Sequence, residues 1–242
     1  MWEISLIIQT KNEKFLEIIE KKVKSFKDIK VHSALSKNLG LSTLSIATEK
    51  PELILIDNLK NLIAETIILT EKEALIKKEV DFKNITKTTY GAFIKALVLF
   101  DFEADKNEII CSLDLTKNID LHSFYSFKLK NLKKKWLELI KLTNQNNGFI
   151  GGADILLEML VDSLEVSDRK VFVEKVGGRF ILLDEEGKEI KEKRLSKSIF
   201  DEIELVTNLI ILAPKSIKIL CKYDITKETM NLINYIFNGR VK

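Results

Sequence analysis

The chain is poor in the residues that make ready-made chemistry. Two cysteines, Cys111 and Cys221, stand far apart without a CxxC partner. That excludes a disulfide framework and a cysteine-built zinc site, and both thiols, in apolar surroundings, are expected to be buried and reduced. His32 and His122 are the only histidines. They leave no HExxH pair and no Ser-His-Asp order, and nothing in the sequence brings the two together. His122 could take Asp120 as a carboxylate partner, but a hydrogen bond local to a helix entry is the plainer expectation. Neither Gly151-Gly152 nor Gly177-Gly178 has GxGxxG or GxxxxGK[ST] spacing, so both are expected to be turns rather than phosphate loops. Asp184, Glu185 and Glu186 read as turn chemistry, since a glycosidase pair must face a cleft. No catalytic residue, metal or cofactor follows from any of these.

Long apolar runs are missing too. The most apolar segment, Ile203 to Ala213, contains Glu204, Thr207 and Asn208 and falls short of the roughly 20 residues a bilayer span needs. Met1-Trp2-Glu3 enters a strand pattern with no basic leader, so a secretory signal is not expected. A cytoplasmic protein without a membrane span is the expectation. With only two prolines there are no obvious linkers, and no repeat of 20–50 residues is present. The formal charge of +3 is small, so any attraction to nucleic acid has to come from local clustering.

What is present describes a folded protein: 45% hydrophobic and 31% charged residues over 242 positions, enough for one large or two small cores. Residues 3–9 alternate as a strand. Phe15, Ile18, Ile19, Lys22, Val23 and Phe26 repeat at helical spacing behind a candidate cap, Asn12. Ile29–Leu35 and Leu41–Ala47 are further strand candidates around a turn at Asn38–Gly40. After Pro51 the pattern turns helical through Leu59, Leu62, Ile63, Thr66 and Ile67, with a capping box at Thr70 and Glu73 suggesting a fresh start. Helices are predicted for Thr86–Asp101 and Asp105–Leu115, and for Ala153–Leu164 with Ile155, Leu156, Met159, Leu160 and Leu164 inward. Gly177-Gly178 between alternating runs predicts a β-hairpin, and Asp184–Gly187 a second turn leading to a third strand through Ile190. A helix capped by Ser196 or Ser198, a strand over Lys215–Tyr223 and a last helix capped by Thr226 follow. The fold expected is α+β: a small α/β unit over 1–56, a central helical layer over 57–166, and a β-hairpin/α/β/α module over 167–242.

The stretch Leu121–Leu142 is the most distinctive. Tyr125, Leu129, Leu132, Trp136 and Ile140 fall on one face of a predicted helix, with Leu139 widening it. Lys128, Lys130, Lys133, Lys134, Lys135 and Lys141 occupy the other positions against the single acid Glu138. Ser123 is the candidate N-cap and Asn146-Asn147-Gly148 the stop. The lysines could follow a phosphate backbone with Trp136 or Tyr125 stacking. A solvated outer face with lysine stems over apolar surface is the plainer reading. Of Phe124, Tyr125 and Phe127, at least two are expected in the core.

The chain also resembles the YtxC-like family of sporulation proteins from endospore-forming bacteria. The resemblance runs, in the family's order, through Asp120–Lys130 (DLHSFYSFKLK), Phe180–Ile190 (FILLDEEGKEI), Leu209–Ile217 (LIILAPKSI) and Ile233–Val241 (INYIFNGRV). It covers roughly the second half of the chain, by eye; the first 85 residues match in general shape alone. Some members carry a cysteine-bearing tail that is not seen here, so no metal or redox role is carried over. The resemblance implies a part in endospore formation and no catalytic residue. The expectation is a non-enzymatic protein acting through a partner, a protein in the first instance. Candidate contact residues are Lys128, Lys130, Lys133, Lys134, Lys135, Phe124 and Tyr125. The alternatives are a nucleic-acid-binding protein using the helix over 128–142, or an enzyme whose site is assembled from unremarkable residues.

Overall fold

A computed structural model describes residues 1–26, 30–49, 53–80, 85–146, 152–191 and 199–242. The chain is an α+β protein, with two sheets among the described residues, and divides into two compact units, neither continuous in sequence: residues 1–75 with 101–138, and residues 76–100 with 139–242. No helix among the described residues is long and apolar enough to cross a membrane.

The first unit opens with β1 (Trp2–Gln9), α1 (Lys14–Val23), β2 (His32–Asn38) and β3 (Leu41–Thr48). Alternation along β1 and β3 puts Ile4, Leu6, Ile8, Leu44 and Ile46 on one buried face, the face α1 meets with Phe15, Leu16, Ile19 and Val23. The β2–β3 turn places Leu39 at φ 49° and Gly40 at φ 79°, the two positive values a tight hairpin needs. Leu39 adopts that strained angle fully exposed. Asn12 does not cap α1: it lies in a short 3-10 turn, and the helix begins after Glu13 without a side-chain cap.

Helix α2 (Leu53–Ile67) passes into a π-helical turn, Ile68–Lys72, and then α3 (Glu73–Glu79). The capping box expected at Thr70 and Glu73 does not form. The Thr70 hydroxyl donates back to the Thr66 carbonyl at 2.7 Å, and the helix widens instead of restarting. In the second unit, α4 (Lys87–Leu99) is capped by Thr86, which accepts the Thr89 N–H. The chain returns to the first unit with α5 (Phe102–Ser112), which starts earlier than its predicted Asp105 because Asp101 turns the backbone at φ 55°.

β4 (Ile119–Asp120) adds to the first sheet parallel to β1, giving the order β2-β3-β1-β4. It leads directly into the three-residue α6 (Leu121–Ser123), a second π-helical turn over Phe124–Lys128, and α7 (Lys130–Asn146). The expected stop at Asn147 and Gly148 lies outside the described residues.

The second unit holds α8 (Gly152–Asp162), β5 (Ser167–Val176), β6 (Arg179–Leu183), α9 (Glu202–Leu212), β7 (Pro214–Ile219) and α10 (Lys227–Ile236). Its sheet has the order β6-β5-β7, with β5 and β7 parallel. Gly177 and Gly178 turn the hairpin at φ 58° and 81°. The third strand is reduced to a single bridge, Leu183 with Glu189. On α8, Leu160 is buried as expected and Leu157 and Val161 are buried with it, whereas Ile155 and Met159 are exposed and Leu156 is half-buried. Asp201 caps α9 by accepting the Glu204 N–H. Ser196 and Ser198 lie outside the described residues, and Ile199 pairs with Phe180 rather than joining the helix. Thr226 caps α10 as expected. Helices α4 and α9 pack closely at Gly91, whose position leaves no room for a Cβ against Ile203.

Candidate functional site

The two π-helical turns, both in the first unit, shape its chemistry. A π turn takes one extra residue, so the buried stripe slips by one position across it. In the central segment the stripe Leu129, Leu132, Trp136, Ile140 is buried as expected. One turn upstream, α-helical spacing points to Tyr125. The Leu129 N–H bonds instead to the Phe124 carbonyl, five residues back, and Phe124 with Leu121 takes the buried positions. Tyr125 is half-buried and Phe127 is 77% exposed. The expectation of two core aromatics among Phe124, Tyr125 and Phe127 is therefore corrected to one. The cap of this segment is Asp120, which accepts the Ser123 N–H at 2.6 Å; Ser123 is the donor rather than the cap. Asp120 thus serves the helix entry rather than His122, and His122 and His32 are both exposed.

The same slip in the α2–α3 helix puts Lys72 inward, on the row of Ile68 and Ile76. Its ammonium, 1% exposed, lies 2.7 Å from the Asp105 carboxylate and 5.8 Å from the centre of the Trp136 ring. The Trp136 indole N–H donates to the same Asp105 oxygen at 2.8 Å. Burial pushes the Lys72 ammonium down and the Asp105 carboxyl up, each against the pull of its partner. Such a pair ties the π turn after α2 to α5 and α7 and is sealed from solvent, so it offers nothing to a substrate. Spacing alone missed it. The upstream row Leu59, Ile63, Ile67 points by α-helical spacing to Glu71, and Lys72, five residues after Ile67, takes the buried place only through the slip.

Beside it, burial pushes the Glu71 carboxyl up, opposed by Lys133 and His122. Burial and the Glu71 charge together push the Tyr125 phenol up to about 12. Lys133 lies 5.2 Å over the Tyr125 ring. Lys135 binds Glu108 at 2.6 Å, which holds its ammonium above the ordinary value. Lys134 is 3.8 Å from Glu138. Lys128 and Lys130 are exposed and make no salt bridge among the described residues.

Between the end of α5 and the second π turn lies an open cleft of about 420 Å³. Phe124 and Phe127 give it an apolar wall, and Lys117 and Lys128 stand on its lining. Asp114 and Asp120 stand on the lining as well, and each of them, like Asn118, gives one oxygen to the protein's own chain. Asp114 Oδ1 takes the N–H and hydroxyl of Thr116 at 3.0 and 2.6 Å, which hold that carboxyl below its ordinary range. Asp120 Oδ1 takes the Ser123 N–H, and Asn118 Oδ1 takes the Ser5 N–H at 3.0 Å. Phe124 and Lys128 of this set are candidates from sequence; Lys117, Asn118 and Phe127 join them because β4 and the π turn bring them together.

Elsewhere, Asp184 Oδ1 accepts the N–H groups of Glu186 and Lys188, so the acid run is a turn. Cys221 is buried, but Cys111 is exposed on α5, contrary to expectation. No group of three or more His, Cys, Asp or Glu among the described residues could hold a metal ion. Comparison with family models, curated proteins and solved structures finds no match to this chain. The resemblance to the YtxC-like family rests on its four quoted segments alone.

Proposed function

We propose that this is a non-enzymatic protein of endospore formation that works by holding a partner against the cleft of its first unit. The resemblance supplies the process. The observation that carries the binding reading is Phe127, a large apolar side chain 77% exposed at the cleft. Keeping such a side chain in water forgoes about 1.5–3 kcal/mol of burial, which a partner covering it would recover. The titratable groups favour binding over catalysis: Lys72 and Asp105 are closed off from solvent, and Asp114 and Asp120 each commit an oxygen to a local turn or cap. π-Helical turns recur at functional sites in proteins generally, and this cleft is built on one.

The test is complementation. In an endospore-forming host from which the gene has been removed, the wild-type chain is expected to restore heat-resistant spores. Phe127→Ala is expected to restore far fewer while vegetative growth stays equal. Equal spore counts with and without the gene overturn the sporulation reading. Full restoration by Phe127→Ala overturns the assignment to the cleft.

A further inference from the structure

We propose that Asn238 is a site of spontaneous modification: the Gly239 nitrogen closes a ring on the Asn238 side chain, ammonia leaves, and hydrolysis leaves an isoaspartyl linkage that releases the neighbouring edge of β7. The site belongs to the second unit and owes nothing to the cleft reading.

Three observations carry it. The first is the nucleophile. Ring closure brings the backbone nitrogen of the following residue onto the side-chain carbonyl carbon of the asparagine. A Cβ on that following residue crowds the approach, and glycine has none. The chain has two Asn-Gly pairs: Asn147-Gly148, which lies outside the described residues, and Asn238-Gly239. Gly239 stands exposed at φ 74° in the turn after α10. Its N–H has no hydrogen-bond acceptor among the described residues, whereas the next one along, Arg240 N–H, is held by the Phe237 carbonyl at 2.9 Å.

The second is the electrophile. The Asn238 side chain is exposed and makes no hydrogen bond among the described residues. Other asparagine amides are tied down. Asn118 accepts the Ser5 N–H, Asn61 and Asn144 donate to the carbonyls of Asp57 and Glu79, and Asn208 is fully buried. In the step itself the Gly239 nitrogen bonds to Asn238 Cγ and gives up its proton. The Cγ–Nδ2 bond breaks and Nδ2 departs as ammonia. The cyclic imide then takes up one water. Opening at the main-chain carbonyl gives isoaspartate, and opening at Cγ gives ordinary aspartate. Water is the single co-reactant.

The third observation gives the step its consequence. Beyond Gly239 the chain lies along β7, the outer strand of the β6-β5-β7 sheet. The Ile217 N–H donates to the Arg240 carbonyl at 2.8 Å, and the Lys242 N–H donates to the Ile217 carbonyl at 2.9 Å. Isoaspartate runs the main chain through the old side chain and adds one carbon, a lengthening of about 1.5 Å. A contact of 2.8 Å moved by that much is no longer a hydrogen bond. Ile217 then turns an unpaired N–H and C=O outward, and such an open edge is what other strands pair with.

The test incubates the full chain in mildly alkaline buffer at physiological temperature, sampled by peptide mapping with mass spectrometry. A free peptide of residues 233–241 is the unstructured reference. The fragment carrying Asn238 is expected to gain the mass difference between an acid and an amide at a rate close to that of the free peptide, and to split into isoaspartyl and aspartyl forms. Asn238→Gln should show no conversion at this position. Hydrogen exchange then reads the edge. The Ile217 amide is expected to be protected in the fresh chain and to lose that protection in the isoaspartyl form. Freshly prepared Asn238→Asp, with the same charge on an unaltered backbone, should keep it. Circular dichroism checks that both variants fold. An Asn238 left intact in the folded chain through an incubation that converts the free peptide overturns the site. An isoaspartyl chain whose Ile217 amide stays protected overturns the release of β7.

Discussion

Removing the Asp105 carboxylate should unmask the stored cost of the buried lysine. In the wild type the Lys72 ammonium sits 2.7 Å from Asp105 with 1% of its side chain exposed, and Trp136 donates to the same oxygen. Asp105→Ala leaves an ammonium and an indole N–H without that acceptor. Breaking a buried pair from one side costs about 3–5 kcal/mol. The lysine can escape part of this by losing its proton, since burial already pushes its pKa down. A lysine whose pKa is lower folded than unfolded binds fewer protons when folded, so stability rises with pH between the two values. The Asp105→Ala deficit should therefore shrink steadily as pH is raised from neutral toward about 10, near the unfolded lysine pKa. The double variant Lys72→Met/Asp105→Leu removes both charges, should lose that pH dependence, and should recover all but the roughly 1–3 kcal/mol of the unsatisfied indole. Both tryptophans, Trp2 and Trp136, belong to the first unit, so urea denaturation followed by tryptophan fluorescence reads it. A deficit below about 1 kcal/mol for Asp105→Ala, or one that does not change with pH, would refute the reasoning.

Two further outcomes are expected. A Cβ on Gly91 would stand 2.6 Å from Ile203 Cγ2, so Gly91→Ala should destabilise the second unit by about 1–3 kcal/mol despite its helix propensity gain. In an Ile203→Ala background, where that methyl is gone, the same change should become stabilising by up to about 1 kcal/mol; chemical denaturation of the four variants reads the sign reversal. Tyr125 should ionise late, near pH 12, because burial and Glu71 hold its proton. Its folded pKa lies above the unfolded one, so its contribution is full below about pH 10 and is lost as pH rises toward 12. Tyr125→Phe should remove a step near pH 12 from the tyrosinate absorbance titration, and an unchanged titration would contradict its placement.

Much of the fold was legible because its signals are local. Alternation along Trp2–Gln9 and Leu41–Thr48, the Gly177-Gly178 turn and the caps at Thr86 and Thr226 each act within a few residues. The inner row Leu129, Leu132, Trp136, Ile140 was equally plain, since a regular helix repeats its face every three to four residues. The hydroxyls of Ser196 and Ser198 suit a cap, yet Asp201 stands at the entry of α9. Several residues could have served, and which one does depends on where the helix is held.

The sequence by itself determined the alternating faces, the α+β class and the apolar row of the central helix. The tertiary structure decided the phase of two helices. A turn that takes one extra residue has no signature in a single sequence, because no side chain demands it and only the packing of the whole unit makes it worthwhile. At Ile68–Lys72 the slip turned a lysine into the core beside Asp105 and Trp136. At Phe124–Lys128 it buried Phe124, left Tyr125 half-covered and set Phe127 out at the cleft. The candidate site therefore exists because of a one-residue change in helical phase, which is settled by contacts distant in the chain rather than by neighbours within it.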